Sequence, residues 1–172
     1  MRLLSTNLAD ADAAVLTASS TATGKPASRL KNTLRSVYWE ATGKTEESVT
    51  ADLGPGILTV KAAAITGFDL TREATVEFLH STNNVLFTSL GVIKLGIPTA
   101  GYGEGGFGEG GFGGFSPTFP LLGHVISMFF STLSSRYWRV VIKDPANTKN
   151  IRLGRWFLGD YWEPASVDVK RG

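Results

Sequence analysis

The stretch ESVTADLGPGILTVKAAAITG, residues 47–67, decides the fold class. Its apolar side chains recur at every second position on one face of each half: Val49, Ala51 and Leu53, then Leu58, Val60, Ala62 and Ala64. Alternation with period two is typical of half-buried strands, and Gly54-Pro55-Gly56 between the halves is a turn signal. The stretch therefore predicts two consecutive strands joined by a short turn.

The same alternation continues on both sides of this stretch. REATVEFLH, residues 72–80, and SRYWRVVIKD, residues 135–144, both alternate apolar and polar side chains. Turn signals such as Asn83-Asn84 and Asp144-Pro145 separate the candidate strands, and residues 28–34 alone suggest a helical turn. Many short strands with regular turns predict an all-β sandwich, built as a single domain over residues 1–172.

Two longer segments carry a family resemblance. VYWEATGKTEESVTADLGPGILTVKAAAITGFDLTREATVEFL, residues 37–79, places Trp39 before a polar linker and then a strand that ends in Asp52-Leu53-Gly54. RYWRVVIKDPANTKNIRLGRWFLGDYWEP, residues 136–164, runs through a turn at 144–147 into a closing strand at 153–159. Together the segments resemble discoidin-like (galactose-binding-like) jelly rolls, particularly those in tail and tail-tip proteins of long-tailed bacteriophages.

The resemblance implies a discoidin-like jelly-roll β-sandwich that serves as a structural component of a phage tail tip or baseplate. The implied partners are other phage tail proteins and copies of the chain itself, and the implied location is the virion tail after synthesis in the host cytoplasm. The competing expectation is a carbohydrate-binding module that contacts host surface glycans. No sugar-binding residue is carried over, because the loop residues of glycan-binding members find no position-by-position match here.

Residues 98–120 form a Gly- and aromatic-rich excursion between two predicted strands. The pentapeptide GEGGF occurs at 103–107 and again at 108–112, and the glycines also fit G-x-G-x-x-G. A dinucleotide site needs a helix after the glycines, whereas these glycines lead into Phe115-Ser116-Pro117. A flexible linker, packing on the same sandwich and contact with a cell envelope are alternatives. We expect the aromatic side chains to dock on an adjacent subunit: Tyr102, Phe107, Phe112, Phe115 and Phe119.

Four arginines fall on two C-terminal strands that the sequence predicts to be neighbours: Arg136, Arg139, Arg152 and Arg155. One interpretation is a solvated outer face that discourages pairing of sheet edges. The other is a set of salt bridges between subunits of a tail assembly. The sequence leaves both open.

The composition excludes several chemistries. Cysteine is absent, which removes disulfides, thiolate metal sites and cysteine nucleophiles, and the net charge of +2 with scattered Lys and Arg gives no nucleic-acid footprint. His80 and His124 are isolated and read as structural, and no nucleophile elbow or carboxylate pair is present. We therefore expect no enzyme, no catalytic residue, no cofactor and no metal site. The longest apolar run, at 120–130, is too short to span a membrane, and the N-terminus lacks a secretory signal pattern.

Overall fold

The computed structural model describes residues 3–34, 36–56, 58–95 and 125–163. Short strands dominate this part of the chain, together with 3₁₀ helices at Leu8–Asp10 and Ala27–Lys31. The strands are β1 (Leu3–Asn7), β2 (Val15–Ala18), β3 (Trp39–Glu40), β4 (Glu46–Asp52), β5 (Thr59–Thr66), β6 (Thr75–Ser81), β7 (Thr88–Lys94), β8 (Val125–Ser134), β9 (Tyr137–Lys143), β10 (Arg152–Leu153) and β11 (Arg155–Trp162). The helical turn predicted at 28–34 is the second 3₁₀ helix.

Two antiparallel sheets form the sandwich in the described part of the chain. One has the order β1-β11-β5-β8 and the other the order β2-β4-β9-β6-β7, and a short β10-β3 pair lies beside them. Neighbours in each sheet run antiparallel, and hydrogen bonds between segments distant in sequence hold the strands of each sheet together. The predicted all-β sandwich is confirmed.

The core lies between the two sheets. Alternate residues of β4, β6 and β9 point into it, as the period-two pattern predicts. Three tryptophans are among the largest fully buried side chains: Trp39, Trp138 and Trp156. Side chains of this size fill the space between sheets about 10 Å apart, which agrees with the predicted packing role of the first two.

The face predicted for β5 is wrong in its second half. Leu58 and Val60 contribute to the core between the sheets, but Ala62 and Ala64 belong to a separate small cluster with Phe157. The pairing of β5 with β8 shifts register between Val60 and Ala62, and this irregularity reverses the alternation. A change of one residue in register moves every later side chain to the other face of the sheet.

The two ends of the sandwich differ in their connections. At one end β5 finishes while β8 and β11 begin, and the end of β7 and the start of β6 lie at the same end of the other sheet. We call this the cavity end. The turn between β6 and β7 lies at the opposite end, where Asn84 adopts a φ of 60° as the predicted Asn83-Asn84 turn requires.

Candidate functional site

A cavity of about 450 Å³ opens at the cavity end of the sandwich. Three segments that are far apart in sequence contribute to its described lining: residues 32–34 with Tyr38, residues 66–69, and Arg152 with Gly154 and Arg155. Val125 at the start of β8 also lines it. We call it the strand-end cavity. Its volume lies within the range of about 300–1,000 Å³ that is usual for small-molecule sites.

A close approach of two glycines builds the cavity floor. Gly67 follows β5 with a φ of +66°, and a Cβ atom placed on it would lie 3.1 Å from the Gly154 Cα. The Gly154 backbone N–H donates to the Thr66 carbonyl over 3.0 Å, which joins the end of β5 to the junction of β10 and β11. Glycine at both positions lets the two backbones meet without a side chain between them.

Two arginines in the cavity lining form ion pairs with carboxylates of neighbouring elements. Arg152 Nε lies 3.3 Å from Glu40 Oε2 across the β10-β3 pair. Arg155, the first residue of β11, pairs with Asp10 at the end of the first 3₁₀ helix. Both guanidinium groups are held in fixed orientations, and both retain N–H groups that can donate to a ligand.

The segment before β3 contributes an aromatic ring and polar loop residues to the lining. The Tyr38 ring contacts two cations, with Lys25 Nζ 3.9 Å and Arg152 Cζ 5.3 Å from its centroid. The Asn32 side chain fixes the turn at residues 32–34, because its Oδ1 accepts from the Leu34 backbone N–H over 2.8 Å. This segment therefore contributes the Tyr38 ring, the Asn32 amide and the exposed Thr33 to the lining.

Exposed aliphatic side chains form the rim of the cavity. Leu34 is 62% exposed and Val125 is 57% exposed, and both line the opening. Such side chains give a ligand an apolar contact next to the hydrogen-bonding groups of the walls.

Asp69 adds a carboxylate to the lining, and two residues of the β9–β10 connection fix its loop. The buried Asp144 carboxylate accepts from the Thr71 backbone N–H over 2.7 Å and also from the Thr71 hydroxyl. Asn147 Nδ2 donates to the Asp69 carbonyl over 3.4 Å. The Asp69 side chain is half-buried, and it makes no hydrogen bond or ion pair within the part of the chain that the structure describes.

The four predicted arginines separate into two groups. Arg152 and Arg155 line the strand-end cavity, whereas Arg139 lies on β9 in the other sheet and Arg136 precedes that strand. The expected placement on two neighbouring strands is therefore wrong, because β9 and β11 belong to different sheets.

Arg136 and Arg139 have partners within the chain. Arg136 makes two hydrogen bonds to the Asp52 carboxylate, with Nε–Oδ1 at 2.6 Å and Nη2–Oδ2 at 2.7 Å. Arg139 donates to the Thr50 hydroxyl over 2.9 Å and lies 3.8 Å above the Phe87 ring. Salt bridges between subunits stay a prediction for all four arginines.

The five aromatic residues predicted to dock on an adjacent subunit, at positions 102, 107, 112, 115 and 119, lie outside the described residues, as does His124. His80 does fall within the described part, where its Nδ1 lies 2.8 Å from the Ser135 hydroxyl and its ring packs beside Trp138. This agrees with a structural role for His80. Tyr38 and Asp69 were not predicted as site residues, since no binding role followed from the segments in which they lie.

The described ranges hold neither a metal-binding cluster nor a membrane-spanning helix. No group of three or more His, Cys, Asp or Glu side chains there is placed to hold a metal ion. Among the same residues, no helix has the length and apolar character needed to cross a membrane.

Comparisons with known proteins place the chain by its fold. No family model and no curated protein sequence matches it. Among solved structures, the chain is similar to the Clostridium perfringens module CpGH89CBM32-5 in complex with GalNAc-beta-1,3-galactose. The TM-score is 0.64 at 11% identity, and the match covers 90% of this chain and 100% of that module. Chitosan-binding module 1 from a chitosanase/glucanase of Paenibacillus sp. IK-5 gives a TM-score of 0.62 at 15% identity, covering 91% and 100%.

A GH29 fucosidase from Ruminococcus gnavus is also similar, with a TM-score of 0.65 at 15% identity over 92% of this chain but only 27% of the fucosidase. Identities this low show the fold alone. The structures named here are carbohydrate-binding modules and part of a glycosidase, and they give no support to a phage tail origin. The chain thus has the discoidin-like jelly-roll fold that is found in carbohydrate-binding modules.

Proposed function

We propose that this protein is a non-catalytic carbohydrate-binding module and that sugar binds in the strand-end cavity. The observation that carries the proposal is the lining of this cavity, where hydrogen-bond donors and acceptors converge next to apolar side chains. A sugar ring needs both, because its hydroxyl groups donate and accept while its C–H faces are apolar.

The donors and acceptors are held in place before a ligand arrives. Glu40 and Asp10 orient Arg152 and Arg155, and Asp144 fixes the loop that carries Asp69. Ordering costs on binding are smaller when the site is preformed, which suits a module that recognises small hydroxylated rings. The two modules named above, one in complex with GalNAc-beta-1,3-galactose and the other chitosan-binding, support the same proposal.

A structural role in a phage tail, with other tail proteins and further copies as partners, stays a prediction from the sequence resemblance. The named structural neighbours favour the carbohydrate-binding alternative. Location in a virion likewise stays a prediction, and immunogold labelling of intact particles from the source is its test. Label at a tail end would support it, and particles without label would contradict it.

Saturable sugar binding by the isolated chain tests the proposed function. Amide chemical shifts are followed by NMR during titration with galactose, N-acetylgalactosamine, glucose and chitosan oligosaccharides. We expect saturable shifts at Gly67, Asp69 and Gly154, which surround the cavity. Titrations that produce no saturable shift with any of these sugars, or shifts only at the β6–β7 turn, would contradict the proposal.

A matched pair of variants locates the site. Thr33→Trp places a large ring in the wall of the cavity, and Thr82→Trp makes the same change at the opposite end of the sandwich. Both threonines are exposed, so neither change disturbs the core. We expect Thr33→Trp to weaken sugar binding by at least about tenfold and Thr82→Trp to leave it unchanged. Equal effects of the two variants would place the sugar elsewhere.

A further inference from the structure

We propose that the strand-end cavity selects uncharged sugar rings over their acidic counterparts and that Asp69 is the residue that sets this selectivity. The inference rests on the proposed sugar-binding function and adds the class of ligand. It follows from the charges around the cavity. The two lining arginines alone would make the cavity positive, but three carboxylates lie with them.

Both arginines of the described lining already have carboxylate partners. The Arg152 guanidinium pairs with Glu40, and the Arg155 guanidinium pairs with Asp10. Asp69 then contributes a further carboxylate that has no partner in the described part of the chain. The two arginines and three carboxylates carry a formal balance of −1, and Lys25 above the Tyr38 ring brings the balance to zero at most.

An acidic sugar therefore finds neither arginine of the described lining unpaired, and Lys25, which packs above the Tyr38 ring, is not among the described lining residues. The sugar carboxylate would lie beside Asp69, where like charges repel in a partly desolvated site, or it would have to displace Glu40 or Asp10. Displacing Asp10 from Arg155 is unfavourable, because Asp10 Oδ1 is buried and makes no hydrogen bond within the described residues. Removing its arginine would leave this part-buried carboxylate without any partner.

An uncharged sugar meets the opposite situation. The half-buried Asp69 carboxylate can accept hydrogen bonds from neighbouring hydroxyl groups, and charge-assisted bonds of this kind are among the stronger ones. The paired arginines still have N–H groups that can donate to the ring oxygens. The same carboxylate that repels a uronic acid thus binds the corresponding hexose.

Sugar pairs that differ at one carbon test this directly. Galactose and galacturonic acid, and likewise glucose and glucuronic acid, differ only in having a hydroxymethyl group or a carboxylate at C6. Calorimetry or NMR titration of the wild-type chain should show the hexose of at least one pair binding about tenfold or more tightly than its acid. Wild-type binding of a uronic acid as tightly as of its hexose would overturn the proposal.

Asp69→Asn isolates the charge, because asparagine keeps the shape and suits the same turn. We expect this variant to gain affinity for the uronic acid, so that the hexose-to-acid ratio falls by about tenfold. Glu77→Gln, which removes one negative charge from the outer face of the other sheet, should keep the wild-type ratio. Thermal melting confirms that each variant is folded, which is expected because the Asp69 side chain has no partner to lose in the described structure.

Two results would overturn the selectivity while leaving sugar binding intact. One is an unchanged ratio in Asp69→Asn, and the other is an equal loss of hexose and acid binding, which would make Asp69 a general binding residue. A wild-type chain that binds neither member of either pair, nor the other sugars titrated above, would instead overturn the proposed function, and the selectivity with it.

Discussion

Gly67 and Gly154 meet so closely that a Cβ atom on Gly67 would lie 3.1 Å from the Gly154 Cα, and one on Gly154 would lie 3.3 Å from the Gly67 Cα. This contact joins the end of β5 to the start of β11 and forms the floor of the strand-end cavity. The packing of the fold and the shape of the cavity therefore depend on the same pair of glycines.

Replacing Gly67 with alanine should lower the free energy of unfolding by more than the left-handed backbone angle alone would cost. A left-handed φ costs an alanine about 1–2 kcal/mol, and at Gly67 the added methyl group also presses on Gly154. Gly24 is a matched control, because its φ is +72° but nothing lies within 4 Å of a Cβ atom there. Urea unfolding should show a larger loss of free energy for Gly67→Ala than for Gly24→Ala. Equal losses would mean that the Gly67 and Gly154 backbones move apart to admit the methyl group without any further loss of stability.

The Asp52–Arg136 pair should make stability depend on acid pH. Hydrogen bonds from the Arg136 side chain, and then from the Gly54 backbone N–H, hold the pKa of Asp52 below its usual value. A carboxyl group whose pKa is lower in the folded state stabilises the fold above its unfolded pKa of about 3.9, and this contribution is lost as pH falls through the folded pKa. Asp52→Asn should therefore lower the unfolding free energy at pH 7.

The measurement is urea unfolding of the wild type and Asp52→Asn at pH 7, 4 and 2.5. Asparagine can still accept from the Gly54 N–H, so the difference reports chiefly on Arg136. We expect this difference to shrink as pH falls and also in 1 M salt, because the pair is exposed enough to be screened. A difference that stays constant from pH 7 to 2.5 would show that the ion pair does not contribute.

Local patterning was sufficient to predict the fold class but not the faces of every strand. Trp39 and Trp138 are buried as predicted, because alternation along β9 and the size of the rings are local properties of the sequence. Ala62 and Ala64 were assigned to the wrong face, because the register shift that moves them arises from the pairing of β5 with β8. Long-range pairing of this kind leaves no signal in the β5 sequence itself.

The candidate site shows the same limit. Arg152 and Arg155 stand out in the sequence, but their partners Glu40 and Asp10 lie more than a hundred positions away and become neighbours only through strand pairing and packing. Nothing in the sequence around Asp69 indicates a cavity. Its place in a cavity depends on Asp144, which is a turn residue of the β9–β10 connection. Convergent sites built from separate loops cannot be read from the spacing within any one of them.

The Gly/Phe stretch gives a prediction about assembly. Phe107 and Phe112 repeat at five-residue spacing, and large exposed aromatic side chains are unfavourable unless a partner buries them. Phe107→Ser combined with Phe112→Ser should weaken self-association of the full chain, or its incorporation into particles, as measured by sedimentation or by co-purification. The same assembly in the variant and in the wild type would contradict subunit docking by these residues.

Asp144→Asn should reduce both stability and sugar affinity. Asp144 is fully buried, and its two carboxylate oxygens accept from the Thr71 N–H and the Thr71 hydroxyl. The asparagine oxygen can still accept from the Thr71 N–H, but its NH₂ group can only donate to the Thr71 hydroxyl, so the charge-assisted bonds of the buried carboxylate are lost. Hydrogen bonds to charged groups contribute about 1.5–3 kcal/mol, so we expect a loss of that size in the free energy of unfolding.

Asp160→Asn is the matched control for this buried carboxylate. Asp160 pairs with Lys61 over 3.3 Å, but their side chains are 47% and 40% exposed, and pairs near the surface contribute about 0–1 kcal/mol. Under conditions where both variants are folded, Asp144→Asn should also weaken sugar binding, because Thr71 follows Asp69 in the loop that Asp144 fixes. Reduced stability with unchanged affinity would show that the loop keeps its cavity-forming conformation without Asp144.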